Sequence, residues 1–441
     1  MWFSSLFNKG ALRNRIVICL IAIMAMSFSA ALFNNPNHMG YNWTFPYFSG
    51  AANHQRLFEW LISPEDFYEA RSAENYHTYK HQPTEHTVAN SVNNYGYVLV
   101  ALAATSLLPW LGDLQAAIVL QSIVHMVVCL VIVLFVLRTQ IQRYGFIFLY
   151  AANPVIIYFA TFPFYYFWMF IPSFVLIFLW FRPRARSVGL LVSTPLLLFS
   201  LLIRPTTLFL CGLSYAFVWN QAKSMKNRVV VILSFLGFGL GVFLIATMSS
   251  ESPWHPAYVG LGAYQNDVGI DVFSDEEGYR YFFEQTGELV DTTAITGNYS
   301  NDEFRAYYSD VLRTRYLQIL REQPLLVFRN ALINILQTFG LGHDVNHLWV
   351  TVMSTLIGIL VLSLLIFARQ YLWILGVLSS AAGFVLYFPP IAAYHFAGYS
   401  LLVIGFLLGV ERLLIYQRLR NVTSETLGQP TVTSDQRITK K

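Results

Sequence analysis

"GFIFLYAANPVIIYFATFPFYYFWMFIPSFVLIFLWF", Gly145–Phe181, runs for 37 residues without one charged side chain. A single helix of that length, rising about 1.5 Å per residue, would far exceed the roughly 30 Å hydrocarbon core of a bilayer. The stretch therefore reads as two membrane-crossing helices. The turn between them falls at Ala160–Tyr166, where Pro163 sits. A second run, Ser187–Gln221, holds a single charge, Arg204, followed directly by Pro205. It too is predicted to be two helices, turning at Arg204-Pro205.

The rest of the chain fits this reading. Of its 441 residues, 56% are hydrophobic and 12% charged. A soluble domain carries about 25% charged residues, so the composition is that of a membrane protein. Further apolar runs of spanning length are Ile16–Phe33, Gln115–Leu137, Val229–Thr247, Leu348–Ala368, Tyr371–Tyr387 and Ile391–Tyr416. The expected fold is an all-α polytopic membrane protein of about ten transmembrane helices with two large extracytoplasmic loops. The run "YGYVLVALAATSLLPW" (Tyr95–Trp110) is read as a helix lying in the outer interface and ended by Pro109.

Ten crossings with the N-terminus inside sort the charges. The cytoplasmic side then holds 18 Lys and Arg against 3 acids, and the outer side 10 against 21. Every short cytoplasmic loop is basic, as the positive-inside rule asks. The organisation that follows begins with a cytoplasmic N-terminus, 1–15. A membrane core, 16–248, comes next and contains the first outer loop, 34–112. A second outer loop, 249–347, leads to C-terminal helices, 348–416, and a polar, disordered cytoplasmic tail, 417–441. In "FRAYYSDVLRTRYLQILREQPLLVFRNALINILQTF" (Phe304–Phe339), helical spacing is interrupted by Pro324, which predicts two helices.

Cys19, Cys129 and Cys211 lie inside apolar runs and read as small buried hydrophobes. No Asp, Glu or Lys lies in the interior of a predicted span, Glu411 being at the cytoplasmic end of the last. That argues against ion-coupled transporters and proton pumps, which place ionisable groups near the midplane. His125, within the second span, reads as a helix–helix hydrogen-bond partner.

Chemistry is expected at the outer surface. Arg204 is the single charge of a short outer turn. It is either a snorkelling arginine at a helix end or a fork for the phosphate of a lipid-linked substrate. The first outer loop is dense in aromatics and acids, and Glu59, Glu65, Asp66, Glu69 and Glu74 are candidate general bases. The same carboxylates would also suit a solvated helix face. His77, His81 and His86 are too loosely spaced for a metal site. The second loop opens "SPWHPAYVGLGAYQNDVG", where glycines and aromatics, His255 and Tyr264 among them, suit a lid over a substrate.

This layout resembles the GT-C superfamily of integral-membrane glycosyltransferases. The segments that carry the resemblance are "NNYGYVLVALAATSLLPWLG" followed by "LQSIVHMVVCLVIVLFVLRTQ", the stretch "LYAANPVIIYFATFPFYYFWMFIPSFVLIFLW", the basic residue before proline in "LLLFSLLIRPT", and "RYLQILREQPLLVFRNALINIL". The resemblance implies inverting transfer of a sugar from a polyprenyl-phosphate carrier to a glycan, lipid or protein acceptor on the periplasmic face of a bacterial inner membrane. It implies Arg204 as the carrier-phosphate ligand and an acid of the first outer loop as base. Where members of the superfamily place that acid early, "MGYNWTFPYF" offers Asn42. The base then falls to Glu59, Glu65, Asp66 or Glu69, with Asn42, Arg204, His255 and Tyr264 on the substrate, or catalysis is altered or lost. No cofactor is specified, and a divalent-metal requirement stays open. The bilayer is a partner and nucleic acid is not. An O-antigen-type polymerase or ligase, or a non-catalytic component of polysaccharide assembly or export, is the alternative.

Overall fold

In lipid a backbone must satisfy its own hydrogen bonds, so apolar runs fold as helices. The computed structural model describes residues 16, 19–23, 25–26, 95–111, 113–246, 253–270, 272–288, 302–344 and 347–428. Among them every regular element is helical, and the one bridge-type pairing joins His343 to Ile391.

The first set of helices is α1 (Tyr95–Leu107), α2 (Asp113–Val131), α3 (Gln140–Phe146), α4 (Pro154–Thr161), α5 (Ile171–Phe181), α6 (Arg186–Ile203), α7 (Leu208–Gln221) and α8 (Met225–Ala246). A second set holds α9 (Trp254–Gly260), α10 (Asp275–Thr286), α11 (Asp302–Glu322) and α12 (Pro324–Thr338). The chain closes with α13 (Leu348–Phe367), α14 (Tyr371–Ala381) and α15 (Ala392–Gly428). Single π-turns extend α2 through Val136 and α3 through Ala151.

Five helices among the described residues are long and apolar enough to cross a membrane: 114–136, 186–203, 225–244, 348–367 and 392–417. A sixth exists if α3 and α4, bent by 59° at Ala152-Asn153, count as one. That bend has a local cause. Asn153 is extended and caps Val155 N at 2.9 Å, and Pro154 occupies the first position of the new helix. The segments 96–107, 167–181 and 371–381 are apolar but shorter. The expected ten spans thus include several segments that fall short of spanning length.

The predicted turns fall where proline and aromatic residues place them. The Gly145–Phe181 run reverses at 162–166, between α4 and the one-turn helix that leads into α5. The second run reverses at Arg204. The residue before a proline is excluded from the helical region, and Arg204 accordingly sits at φ −157°, ψ 117°. Gln323 divides α11 from α12 just before Pro324. The C-terminal segment differs from expectation, because α15 continues as helix through Gly428 and so includes part of the stretch read as a disordered tail.

Side-chain contacts define two ends of the bundle. At one end Arg182 donates to Phe135 O, Arg186 to Gln221 Oε1 and Arg412 to Ala368 O, while Gln142 meets Glu411. The basic loops predicted on one side of the membrane therefore meet. At the other end lie Arg204, the 162–166 turn and the start of α15. Helix α1 packs there through Tyr97, Val98, Ala101 and Ala104, all buried, and Gly96 abuts Ile203.

Helices α9, α10 and α11 build a separate small core around Tyr258, Phe282, Tyr308 and Leu312. Ser274 caps α10 by accepting from Glu276 N at 3.3 Å, and three acids in the first turn complement the helix dipole. This module is seated on the bundle at Gly260, whose Cα approaches the Tyr387 carbonyl so closely that a Cβ has no room.

Candidate functional site

Arg204 ends α6, and its backbone is held by a tight polar turn. Its N–H donates to Ser200 O at 2.9 Å, and the Thr207 hydroxyl donates to Arg204 O at 2.9 Å. The half-buried guanidinium then projects among aromatic rings. Its Cζ lies 5.2 Å from the Tyr165 ring centroid and 5.7 Å from that of Tyr394. Each such cation–π contact is worth about 0.5–2 kcal/mol. Tyr394 comes from the first turn of α15 and Tyr165 from the 162–166 turn, so three separate parts of the chain converge on one cation.

One buried amide organises the Tyr165 side. Gln121, in the middle of α2 and fully buried, donates from Nε2 to Phe162 O at 2.8 Å. Its Oε1 accepts from Trp168 Nε1 and from the Tyr97 hydroxyl, each at 3.2 Å. The amide thereby ties α1, α2 and both sides of the 162–166 turn together. On the other side Thr206 packs against Gly383, beyond the end of α14.

Aromatic contacts continue from this group into the second set of helices. Tyr394 meets Phe388 at 5.6 Å, Phe388 meets Phe273 at 4.9 Å, Phe273 meets His343 at 5.9 Å, and His343 meets Tyr264 at 5.3 Å, all between ring centroids. Arg204 and Tyr264, selected independently in the sequence, are thus joined by one wall of rings. Burial pushes the His343 imidazole down to about 4, which leaves it neutral at ordinary pH.

The Tyr264 hydroxyl is taken up by α12. It donates to Asn334 Oδ1 at 2.6 Å and lies 3.0 Å from Gln337 Oε1. Asn334 in turn donates to Val385 O at 3.0 Å. The structure therefore gives Tyr264 a role in fixing the 264–270 loop to the bundle.

His255 belongs to another group. Its Nδ1 lies 2.6 Å from the Tyr308 hydroxyl and its Nε2 3.2 Å from Asp275 Oδ1, with the Tyr279 ring stacked at 5.5 Å. With Asp275 ionised, the Nε2–H of His255 donates to its carboxylate. The hydrogen bond from His255 holds the Asp275 carboxyl below its ordinary range. This chain joins α9, α10 and α11, and the described contacts of His255 lead to those helices.

The carboxylates Glu59, Glu65, Asp66 and Glu69, together with Asn42, lie outside the described residues. Among the described residues no group of three His, Cys, Asp or Glu side chains could hold a metal. His125 sits beside Cys129 Sγ, 3.8 Å from Nε2, and reaches the Ala151 backbone across the helix interface.

Three contributors escape the sequence reading. Gln121 is one polar residue in a span, Tyr394 one tyrosine near a helix start, and Tyr165 one of six aromatic rings around Pro163 in Phe162–Trp168. The signal for Tyr165 was its place at the turn predicted opposite Arg204.

Comparisons with protein-family models, curated proteins and solved structures find no match to this chain. What the fold defines is a helical protein with several helices able to cross a membrane.

Proposed function

We propose that the protein is a membrane glycosyltransferase that moves a sugar from a polyprenyl-phosphate carrier to a glycan, lipid or protein acceptor. The observation that carries this reading is the Arg204 guanidinium, half-buried between the Tyr165 and Tyr394 rings at a turn between two apolar helices. A planar cation at the end of apolar helices can engage a phosphate with its fork while the lipid tail stays in hydrocarbon. The partly accessible ring of Tyr394 beside it suits a sugar. The base is one of Glu59, Glu65, Asp66 and Glu69, and transfer proceeds with inversion.

The proposed topology has ten crossings: the Ile16–Phe33 run, α2, the bent α3–α4 pair counted as one, α5 to α8, and α13 to α15, with α1 in the outer interface. Both termini are cytoplasmic, the membrane is the bacterial inner membrane, and the Arg204 end faces the periplasm. Support comes from the meeting of the basic loops at the opposite end of the bundle.

The test uses membranes containing the full chain, supplied with a panel of radiolabelled polyprenyl-phosphate sugars. Wild type transfers label to an acceptor. Arg204→Ala loses roughly tenfold to a hundredfold of that activity, the worth of one charged hydrogen bond, at unchanged protein level. One of the four carboxylate→Ala variants is inactive. Unchanged activity in Arg204→Ala removes this site. Full activity in all four carboxylate variants removes the first-loop acid as base, and no transfer by the unsubstituted chain leaves the non-catalytic assembly role as the better account.

A further inference from the structure

Helix α12 is inside out by the standards of a water-soluble protein. Asn330, Asn334, Gln337 and Thr338 are buried, at 5%, 1%, 0% and 0% exposure. On the opposite side Leu325, Phe328 and Leu332 are exposed at 80%, 66% and 47%. Their i, i+3, i+7 spacing makes one continuous apolar stripe. The buried amides are hydrogen-bonded, to Tyr264, Val385 O and Thr355 among others, but a stripe of this size facing water would be costly.

The neighbouring helix says what covers the stripe. Helix α13 is one of the five helices of spanning length, and its first residues, Leu348 and Trp349, are exposed at 78% and 66%. A tryptophan at the start of a spanning helix marks the water–membrane boundary. Leu336 of α12 packs its carbonyl onto Gly358, where a Cβ has no room. Gly358 lies ten residues into α13, about 15 Å along its axis. The C-terminal end of α12 therefore stands well below the level of Trp349, while its N-terminal Leu326 belongs to the core of the α9–α11 module.

Charge agrees with this placement. Arg321 and Arg329 flank the exposed stripe near its shallow end and are themselves exposed. Arg329 donates to Asn330 Oδ1 at 3.0 Å and to Gln265 O at 2.9 Å, so its partners among the described residues are neutral oxygens and its charge can meet an anionic headgroup.

We infer that α12 dips into the bilayer beside α13, with Leu325, Phe328 and Leu332 in lipid and Arg321 and Arg329 on anionic headgroups. The occupant of the stripe is the lipid surface itself. The inference is independent of any transferase activity. It gives the α9–α11 module a fixed height over the membrane, because α12 continues directly from α11.

The test places a benzophenone amino acid at position 328, or at 325 as a second site, in the full chain reconstituted in nanodiscs of equimolar phosphatidylglycerol and phosphatidylcholine. Position 356 on α13 serves as the lipid-facing reference and position 284 on α10 as the water-facing one. On irradiation, positions 328 and 325 form lipid adducts at a yield within about twofold of position 356, and position 284 forms none. Phosphatidylglycerol adducts exceed phosphatidylcholine adducts by about fivefold per arginine, the worth of one basic residue at an anionic surface. The excess disappears in Arg321→Gln/Arg329→Gln. A crosslinked dimer at 328 and 325, or yields no higher than at 284, overturns the inference. Equal labelling of the two lipids in the unsubstituted chain overturns the headgroup part.

Discussion

Replacing Gln121 by leucine keeps roughly the side-chain volume and deletes the amide that ties α1, α2 and the 162–166 turn together. The Phe162 carbonyl loses its 2.8 Å partner, and the Trp168 indole N–H loses its 3.2 Å acceptor. In water-soluble proteins each buried group left unpaired costs about 1–3 kcal/mol. Within membranes a polar side-chain bond averages nearer 0.6 kcal/mol. The Tyr97 hydroxyl loses its 3.2 Å acceptor as well, so three groups cost about 2 kcal/mol on the membrane figure, less than a typical folding stability of roughly 5–15 kcal/mol. The Gln121→Leu protein folds, and its melting temperature in detergent falls. The functional effect is local. Freeing the turn removes Tyr165 from Arg204, a contact worth about 0.5–2 kcal/mol. That corresponds to about a twofold to thirtyfold rise in KM for a polyprenyl-phosphate sugar, with kcat little changed. Melting curves and donor titrations of the same preparation give both numbers. A Gln121→Leu protein with wild-type melting and wild-type KM would refute the reasoning that this amide positions the Arg204 site.

Other predictions concern the seat of the outer module and its titrating groups. Gly260→Ala forces a methyl into the Tyr387 carbonyl, so the α9–α11 module loosens and hydrogen exchange in α9 rises while exchange in α5 stays unchanged. Leu312→Ala opens a hole in the core of that module and costs about 2–5 kcal/mol, read as early loss of proteolytic protection of α11. His343 has a folded value near 4, below the ordinary imidazole value of about 6.5, so folding favours its neutral form. Its contribution is complete above about pH 6.5 and is lost as pH falls through about 4, and His343→Gln flattens that part of a stability–pH curve. Asp275 is also depressed, so its small contribution is present above the ordinary aspartate range and fades on acidification below it. Asp275→Asn removes that fade in melting curves taken at acid pH.

The sequence made the turns legible because their causes are local. Pro205 excludes Arg204 from a helix, Pro324 breaks the 302–338 run, and 37 uncharged residues cannot cross a bilayer once. Arg204 was legible because a lone cation in an apolar run is rare. Its aromatic partners were not, since Tyr165 and Tyr394 are separated by more than two hundred residues and only packing unites them. The lengths of the spans were only partly legible. Hydropathy sees the composition of Tyr371–Tyr387 but not that regular helix ends at Ala381. The polarity of α12 was also hidden, because a periodic pattern does not say which face meets the core. His255 and Tyr264 are legible as polar side chains among glycines and aromatics, but their hydrogen bonds to Asp275, Tyr308, Asn334 and Gln337 are not, since packing of distant helices makes them.

The most direct measurement of the central claim is native mass spectrometry of the detergent-solubilised chain mixed with a polyprenyl-phosphate sugar. The account predicts a one-to-one complex with the unsubstituted protein that is lost in Arg204→Ala and weakened in Gln121→Leu. Equal occupancy of the unsubstituted and Arg204→Ala proteins, or no complex with either, would contradict it.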